Sequence, residues 1–318
     1  MMGARLDQSI AILNGLLGDY LQREGNGLAL QMELRRDGKR VEASQTGLAA
    51  AYADATPRAV VFVHGVMCDE GIWRFPDGGD YGQRLQRDLG ITPLYVRYNS
   101  GLSIADNGEA LDALLDSLVA CYPIPLHELI LVGFSMGGLL VRSACHHASM
   151  RESLWLPQVK RAIYVGTPHA GAPAERWGRL ATRVLRSIPD PYTRLIGQIA
   201  DLRSAGVKDL GDADLRHEDR ASTSNRMSLR DRRHPVPLLP GIEHSLIAGS
   251  LSVEPAVASL LGDGIVPLTS AQGRGVVALS QEDISAAHVC VLAGRSHLDL
   301  AHDDEAYVFI RTWCEEER

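Results

Sequence analysis

One short stretch limits this chain more than any other: ELILVGFSMGG, Glu128 to Gly138. Its first half is a run of apolar and β-branched residues with no turn signal, which predicts a strand buried on both faces. A serine set between glycines follows at once, and then LLVRSACHHA, whose apolar spacing is that of a helix. Ser135 is therefore expected on a strand-to-helix turn. In the pattern G-x-S-x-G, Gly133 and Gly137 remove side chains that would collide in so tight a turn, and the serine hydroxyl is left projecting at the carboxyl end of the sheet. The helix starting there aims its free amide N–H groups at the same place, where they favour developing negative charge.

The same strand grammar recurs in AVVFVHG (59–65), TPLYVRY (92–98) and RAIYVGT (161–167), separated by helix-patterned stretches such as 104–121 and 137–150. Strands alternating with helices predict a doubly wound, mostly parallel α/β sheet. Ahead of it, Leu6, Ile10, Leu13, Leu17 and Leu21 fall three or four apart on one face of an amphipathic helix, LALQMEL (28–34) reads as a short strand, and 47–57 reads as a loop. Between Ala174 and Pro240 the grammar stops: arginine becomes dense, strand-like runs vanish, and the stretch closes on the proline-rich RHPVPLLPG. Strands return at SLIAGSL (245–251) and HVCVLAG (288–294), and a last helix is expected over 303–314. The expected organisation is thus a helix and short strand packing on the core over 1–57, a core made of 58–173 and 241–318, and an insertion over 174–240.

A serine nucleophile needs a base, an acid to orient it and amides for an oxyanion. Met136 would supply one amide. His64 and Gly65 end an earlier strand and leave the N–H of Val66 to supply the second. Of the chain's 11 histidines, His297 in GRSHLDL lies just beyond HVCVLAG, on a loop at the edge that carries Ser135. His302 is the alternative, and His288, at the start of that strand, belongs at the opposite edge. Asp263, glycine-flanked in LGDGIVPL, is the expected acid, with Glu254, Asp283 and Asp299 as substitutes. The order Ser, Asp, His is expected when the serine sits on such an elbow.

Composition narrows the rest. A net charge of -7 without a basic stripe speaks against nucleic acid as a partner. No apolar run reaches the 18 residues of a membrane span, and the first helix lacks the Lys and Arg clusters of a surface anchor. The start has no signal-peptide pattern, and five scattered cysteines (Cys68, Cys121, Cys145, Cys290, Cys314) fit reduced thiols, so a cytoplasmic protein is expected. Metal-ligand spacing is missing, and no metal or cofactor is expected.

Taken together, GFSMGG, the VHG loop, RYNSG (97–101), GTPHAG (166–171), DGIVP and SHLDL resemble the lipase-like branch of the α/β-hydrolases, which includes bacterial triacylglycerol lipases and inositol-deacylase-like proteins. The resemblance runs over about 58–315. It implies an α/β-hydrolase fold with a helical lid at 174–240, whose Leu195 and Ile199 are candidates for an acyl pocket, and it makes His169 structural. The expected activity is hydrolysis of a small-molecule carboxylic ester through an acyl-enzyme. A thioesterase, amidase or acyltransferase would use the same triad, and a non-catalytic binding protein could share the fold.

Overall fold

The computed structural model describes residues 2–173, 176, 204–212, 214–216, 236–274 and 288–315. Helix α1 (Met2–Arg23) is followed by strands β1 (Glu33–Arg36) and β2 (Lys39–Val41) and helix α2 (Gln45–Ala51). Then come β3 (Arg58–Val63), α3 (Tyr81–Leu89), β4 (Thr92–Arg97), α4 (Ile104–Cys121), β5 (Glu128–Phe134), α5 (Met136–Arg151) and β6 (Val159–Val165). Helix α6 (Ala205–Asp212), β7 (Glu243–Ser250), α7 (Pro255–Leu261), the one-turn α8 (Leu268–Ala271), β8 (Val289–Ala293) and α9 (Asp304–Cys314) complete the described strands and α-helices.

Local chemistry sets the ends of the helices. Asp80 caps α3 by accepting from the Gln83 N–H, and the helix stops at Gly90, whose φ of 65° suits a residue without a side chain. Ser103 caps α4 and Asp303 caps α9 in the same manner.

Among the described residues the sheet has eight strands in the order β2-β1-β4-β3-β5-β6-β7-β8. Strands β3 to β8 pair in parallel, while β1 is antiparallel to both β2 and β4. This is the doubly wound, mostly parallel α/β sheet that the alternating strands and helices of the sequence predict. Successive residues of each central strand face opposite layers: Ala59, Val61 and Val63 join Leu111, Leu115, Leu139 and Leu140 on one side, whereas Val60 and Phe62 join Trp73, Tyr81, Leu85 and Ile310 on the other. Both faces are buried, which is why these strands read as unbroken apolar runs. The chain leaves β3 for β4 on one side and returns past it to β5 on the other. That reversal opens a crevice at the carboxyl ends of β3 and β5, the usual ligand position in an open α/β sheet.

Two expectations are corrected. Over 28–34 the strand begins only at Glu33, because the Asn14 side chain takes the Leu28 carbonyl (2.8 Å) and the Leu30 N–H (2.9 Å), groups a strand would have paired elsewhere. Over 47–57 the chain is not all loop. Ser44 accepts from Gly47 N–H and starts α2 on the helix-favouring LAAA.

Candidate active site

Ser135 occupies the residue between β5 and α5 with φ 54° and ψ −122°, on the left-handed side that a serine adopts only when its surroundings impose it. Its N–H is tied to the Val165 carbonyl of the next strand (2.8 Å). The glycines make the turn sterically feasible: a Cβ on Gly133 would meet the Gly138 backbone at 2.5 Å, and one on Gly137 would meet the His64 carbonyl at 2.5 Å. Gly65 faces the serine in turn, where a Cβ would lie 3.0 Å from the Ser135 Cβ.

Ser135 Oγ lies 2.9 Å from His297 Nε2, and His297 Nδ1 lies 2.7 Å from Asp263 Oδ2. All three residues are at most 2% exposed, so the chain of hydrogen bonds runs in a site shut off from bulk water. Asp263 arrives in an Asx turn between Gly262 and Gly264, both at positive φ, and its Oδ1 accepts from the N–H groups of Ile265 (3.0 Å) and Val266 (2.8 Å). The His297 N–H also bonds the Asp263 carbonyl (3.0 Å), locking the histidine and the aspartate together through the backbone. Phe134 lies beside the imidazole, with ring centroids 5.0 Å apart.

The competing residues are occupied elsewhere. His302 Nδ1 faces the Ile72 carbonyl at 3.2 Å, and His288 pairs with Glu243 at the opposite edge, where β7 begins. Asp299 accepts from Ser296 N–H and Oγ and closes its own turn. Glu254 stands at the start of α7. Asp283, Leu195 and Ile199 lie outside the described residues.

Met136 opens α5, so its N–H is one of the orphan donors of a helix start. Val66 follows the turn at His64 and Gly65, and among the described residues neither amide has a hydrogen-bond acceptor. His64 is fully buried: Nδ1 lies 2.8 Å from the Gly65 carbonyl, and the ring stacks on Tyr98 with centroids 4.3 Å apart. Burial pushes its pKa down to about 4, so it is a neutral structural residue near pH 7. His169 is likewise buried and held well below the usual imidazole range by burial and by Arg142, whose Nη1 is 3.3 Å from its Nδ1. Among the described residues, no three His, Cys, Asp or Glu side chains group so as to hold a metal ion. None of the described helices is long and apolar enough to cross a membrane.

Residue-by-residue reading of the sequence gave no role to the loop after β4. Tyr98 donates its hydroxyl to the His64 carbonyl (2.8 Å), and Ser100 Oγ accepts from the Met67 N–H (3.0 Å), so RYNSG is the back wall of the 64–67 loop. The only signal in the sequence was the motif itself.

Among solved structures, the chain is similar to a Bacillus licheniformis lipase in mature form, with 20% identity, 80% of this chain and 91% of that one covered, and a TM-score of 0.48. It is similar to a Pyrococcus furiosus esterase at 11% identity, 82% of each chain and a TM-score of 0.46. With Aspergillus fumigatus lipase B the values are 13% identity, 85% of this chain, 57% of that one and a TM-score of 0.49. No family model matches the chain, and no curated protein does.

Proposed function

We propose that this protein is a serine hydrolase of carboxylic esters, with Ser135 as nucleophile, His297 as general base and Asp263 as its orienting acid. The observation that carries this reading is the buried relay from Ser135 Oγ to His297 Nε2 (2.9 Å) and from Nδ1 to Asp263 Oδ2 (2.7 Å), beside two amides that have no acceptor among the described residues. Ser135 Oγ attacks the ester carbonyl carbon while its proton passes to His297 Nε2, and the carbonyl oxygen becomes an oxyanion on the Val66 and Met136 amides. Collapse expels the alcohol, which takes the proton from His297. Water then attacks the acyl-enzyme and gives its proton to the same nitrogen, and collapse releases the acid as Ser135 Oγ leaves and takes that proton back. Asp263 keeps its charge throughout and fixes the ring tautomer.

Residues 174–240 are proposed as the cap of this site, with Leu195 and Ile199 in the acyl pocket. The described part of that segment supports the reading, since Gly206 of α6 approaches so closely that a Cβ would meet the Leu102 carbonyl at 2.6 Å and Met136 Cε at 3.2 Å.

The test is a panel of p-nitrophenyl esters of increasing chain length, with a thioester and an anilide for comparison, run on the wild type and on Ser135→Ala. The wild type should hydrolyse the esters and be labelled by a fluorophosphonate. Ser135→Ala should take no label, keep its fold and retain at most about 10³ to 10⁴ over the uncatalysed rate. Near-wild-type turnover by that variant would refute the assignment, and a thioester or anilide preferred over every ester would move the substrate class.

A further inference from the structure

An oxyanion amide works only if it is in place before the carbonyl oxygen becomes charged, because a loop that must reorganise forfeits the gain. The Val66 amide sits on a loop at a sheet edge, and what holds it comes from an unexpected part of the chain. Behind it, Met67 N–H donates to Ser100 Oγ (3.0 Å). Above it lies α1. Gly15 presents a bare Cα to this loop, and a Cβ there would meet Met67 Cγ at 2.5 Å, its N at 2.8 Å and its Cα at 2.9 Å. The same helix face meets the loop that carries Ser100: a Cβ on Gly101 would lie 2.6 Å from the Gly18 nitrogen, and Asn99 Nδ2 donates to the Gly18 carbonyl (3.0 Å). On its other flank α1 is pinned to the segment that opens α6, by Ser204 Oγ donating to the Gly15 carbonyl (2.7 Å) and Ala205 N–H donating to Asp19 Oδ2 (3.0 Å).

Two glycines three apart weaken a helix, so a backbone-to-backbone seat is the physical reason to have them there. Met67 carries the imprint of that seat, with φ 60° in a residue that has a full side chain. We infer that α1 is a positioning element for the oxyanion amide: Gly15 clamps the 64–68 loop from above while Ser100 anchors it from behind. This role rests on the acyl-transfer reading above and extends it to a part of the chain remote in sequence from the triad.

Four variants test it. Gly15→Ala places a methyl against Met67 although alanine favours a helix over glycine, so any harm arises at the contact. Ser100→Ala removes the anchor. Gly27→Ala, in open space, and Gly47→Ala, whose Cβ would meet the Glu42 carbonyl at 2.5 Å far from the site, are the controls for substitution and for destabilisation. Each is measured for kcat and KM on p-nitrophenyl acetate, fluorophosphonate inactivation rate, Tm, and hydrogen exchange of a peptide spanning the loop. Gly15→Ala and Ser100→Ala should lower kcat and the inactivation rate by about 10- to 100-fold, less than deleting an oxyanion donor outright, with KM within about threefold and faster exchange at the loop. Gly47→Ala should lose Tm without losing kcat, and Gly27→Ala should change neither. Should Gly15→Ala not fold, Ser100→Ala decides alone. A folded Gly15→Ala or Ser100→Ala with kcat within about twofold of wild type and an unchanged loop overturns the role while leaving the enzyme intact. A wild type inert to every ester and to the fluorophosphonate overturns the hydrolase and this role with it.

Discussion

Replacing Asp263 by asparagine separates the two tasks its oxygens perform. Oδ1 accepts from the Ile265 and Val266 amides at 3.0 and 2.8 Å, and Oδ2 faces His297 Nδ1 at 2.7 Å. An asparagine has one acceptor oxygen for both tasks. If the oxygen stays on the two amides, the NH2 group faces Nδ1, the imidazole must carry its proton on Nε2, and that nitrogen then donates to Ser135 Oγ where it should accept. If the amide flips, the histidine is served, but two buried N–H donors lose their acceptor at roughly 1–3 kcal/mol each. The first arrangement therefore prevails, and it is the one with no base. Turnover should fall by about 10⁴, or about 5.5 kcal/mol of transition-state stabilisation. Unfolding free energy should change little, because the amides keep their partner. The assay is steady-state hydrolysis of p-nitrophenyl acetate, normalised to folded protein, beside a urea unfolding curve. Turnover within tenfold of wild type, with the fold unchanged, would refute the tautomer argument.

Three further outcomes are expected. His297→Ala should cost at least as much turnover as Asp263→Asn, whereas His302→Ala, at a nitrogen bonded to the Ile72 carbonyl, should change kcat by less than about threefold; the reverse pattern would relocate the base. Because the buried His64 titrates near 4 against about 6.5 in an unfolded chain, its contribution to stability is complete above pH 6.5 and is lost as pH falls towards 4, by about 3 kcal/mol in all. His169 acts in the same direction, and His64→Gln should flatten the fall in urea midpoint between pH 7 and 4.5; an unchanged slope would show that His64 is not held neutral. Gly137→Ala drives a methyl into the Val63 and His64 backbone and should destabilise by about 1–3 kcal/mol or more, read as a lower urea midpoint; an unchanged midpoint would mean that the elbow tolerates side chains.

What could be read in the sequence was what repeats or what chemistry forces. Strands buried on both faces announce themselves as apolar runs, and an elbow serine demands its glycines, so β3 to β8 and the Ser135 turn were legible. His297 could be placed beside Ser135 because both follow the carboxyl ends of strands in one parallel sheet. Contacts that depend on distant side chains were not legible. The Asn14 side chain that delays the start of the first expected strand, the Ser100 hydroxyl behind Met67 and the Gly15 seat of α1 are each a pairing across 14 to 52 residues, with no periodicity to mark it.

Of the four non-glycine residues at positive φ among those described, Ser135 and Met67 sit on the two loops that would handle the reacting carbonyl. Each holds strain on the order of 1–3 kcal/mol that the rest of the fold must offset. Glycine would relieve it at both, yet at Ser135 it would also erase the hydroxyl. At Met67 the relief is outweighed by the buried side chain that would be lost, at about 2–5 kcal/mol, so heat resistance and turnover both keep the methionine, whereas at Ser135 they pull opposite ways. A library screened for thermal tolerance alone would therefore leave methionine at 67, and at 135 it would reward a sturdier protein that does nothing.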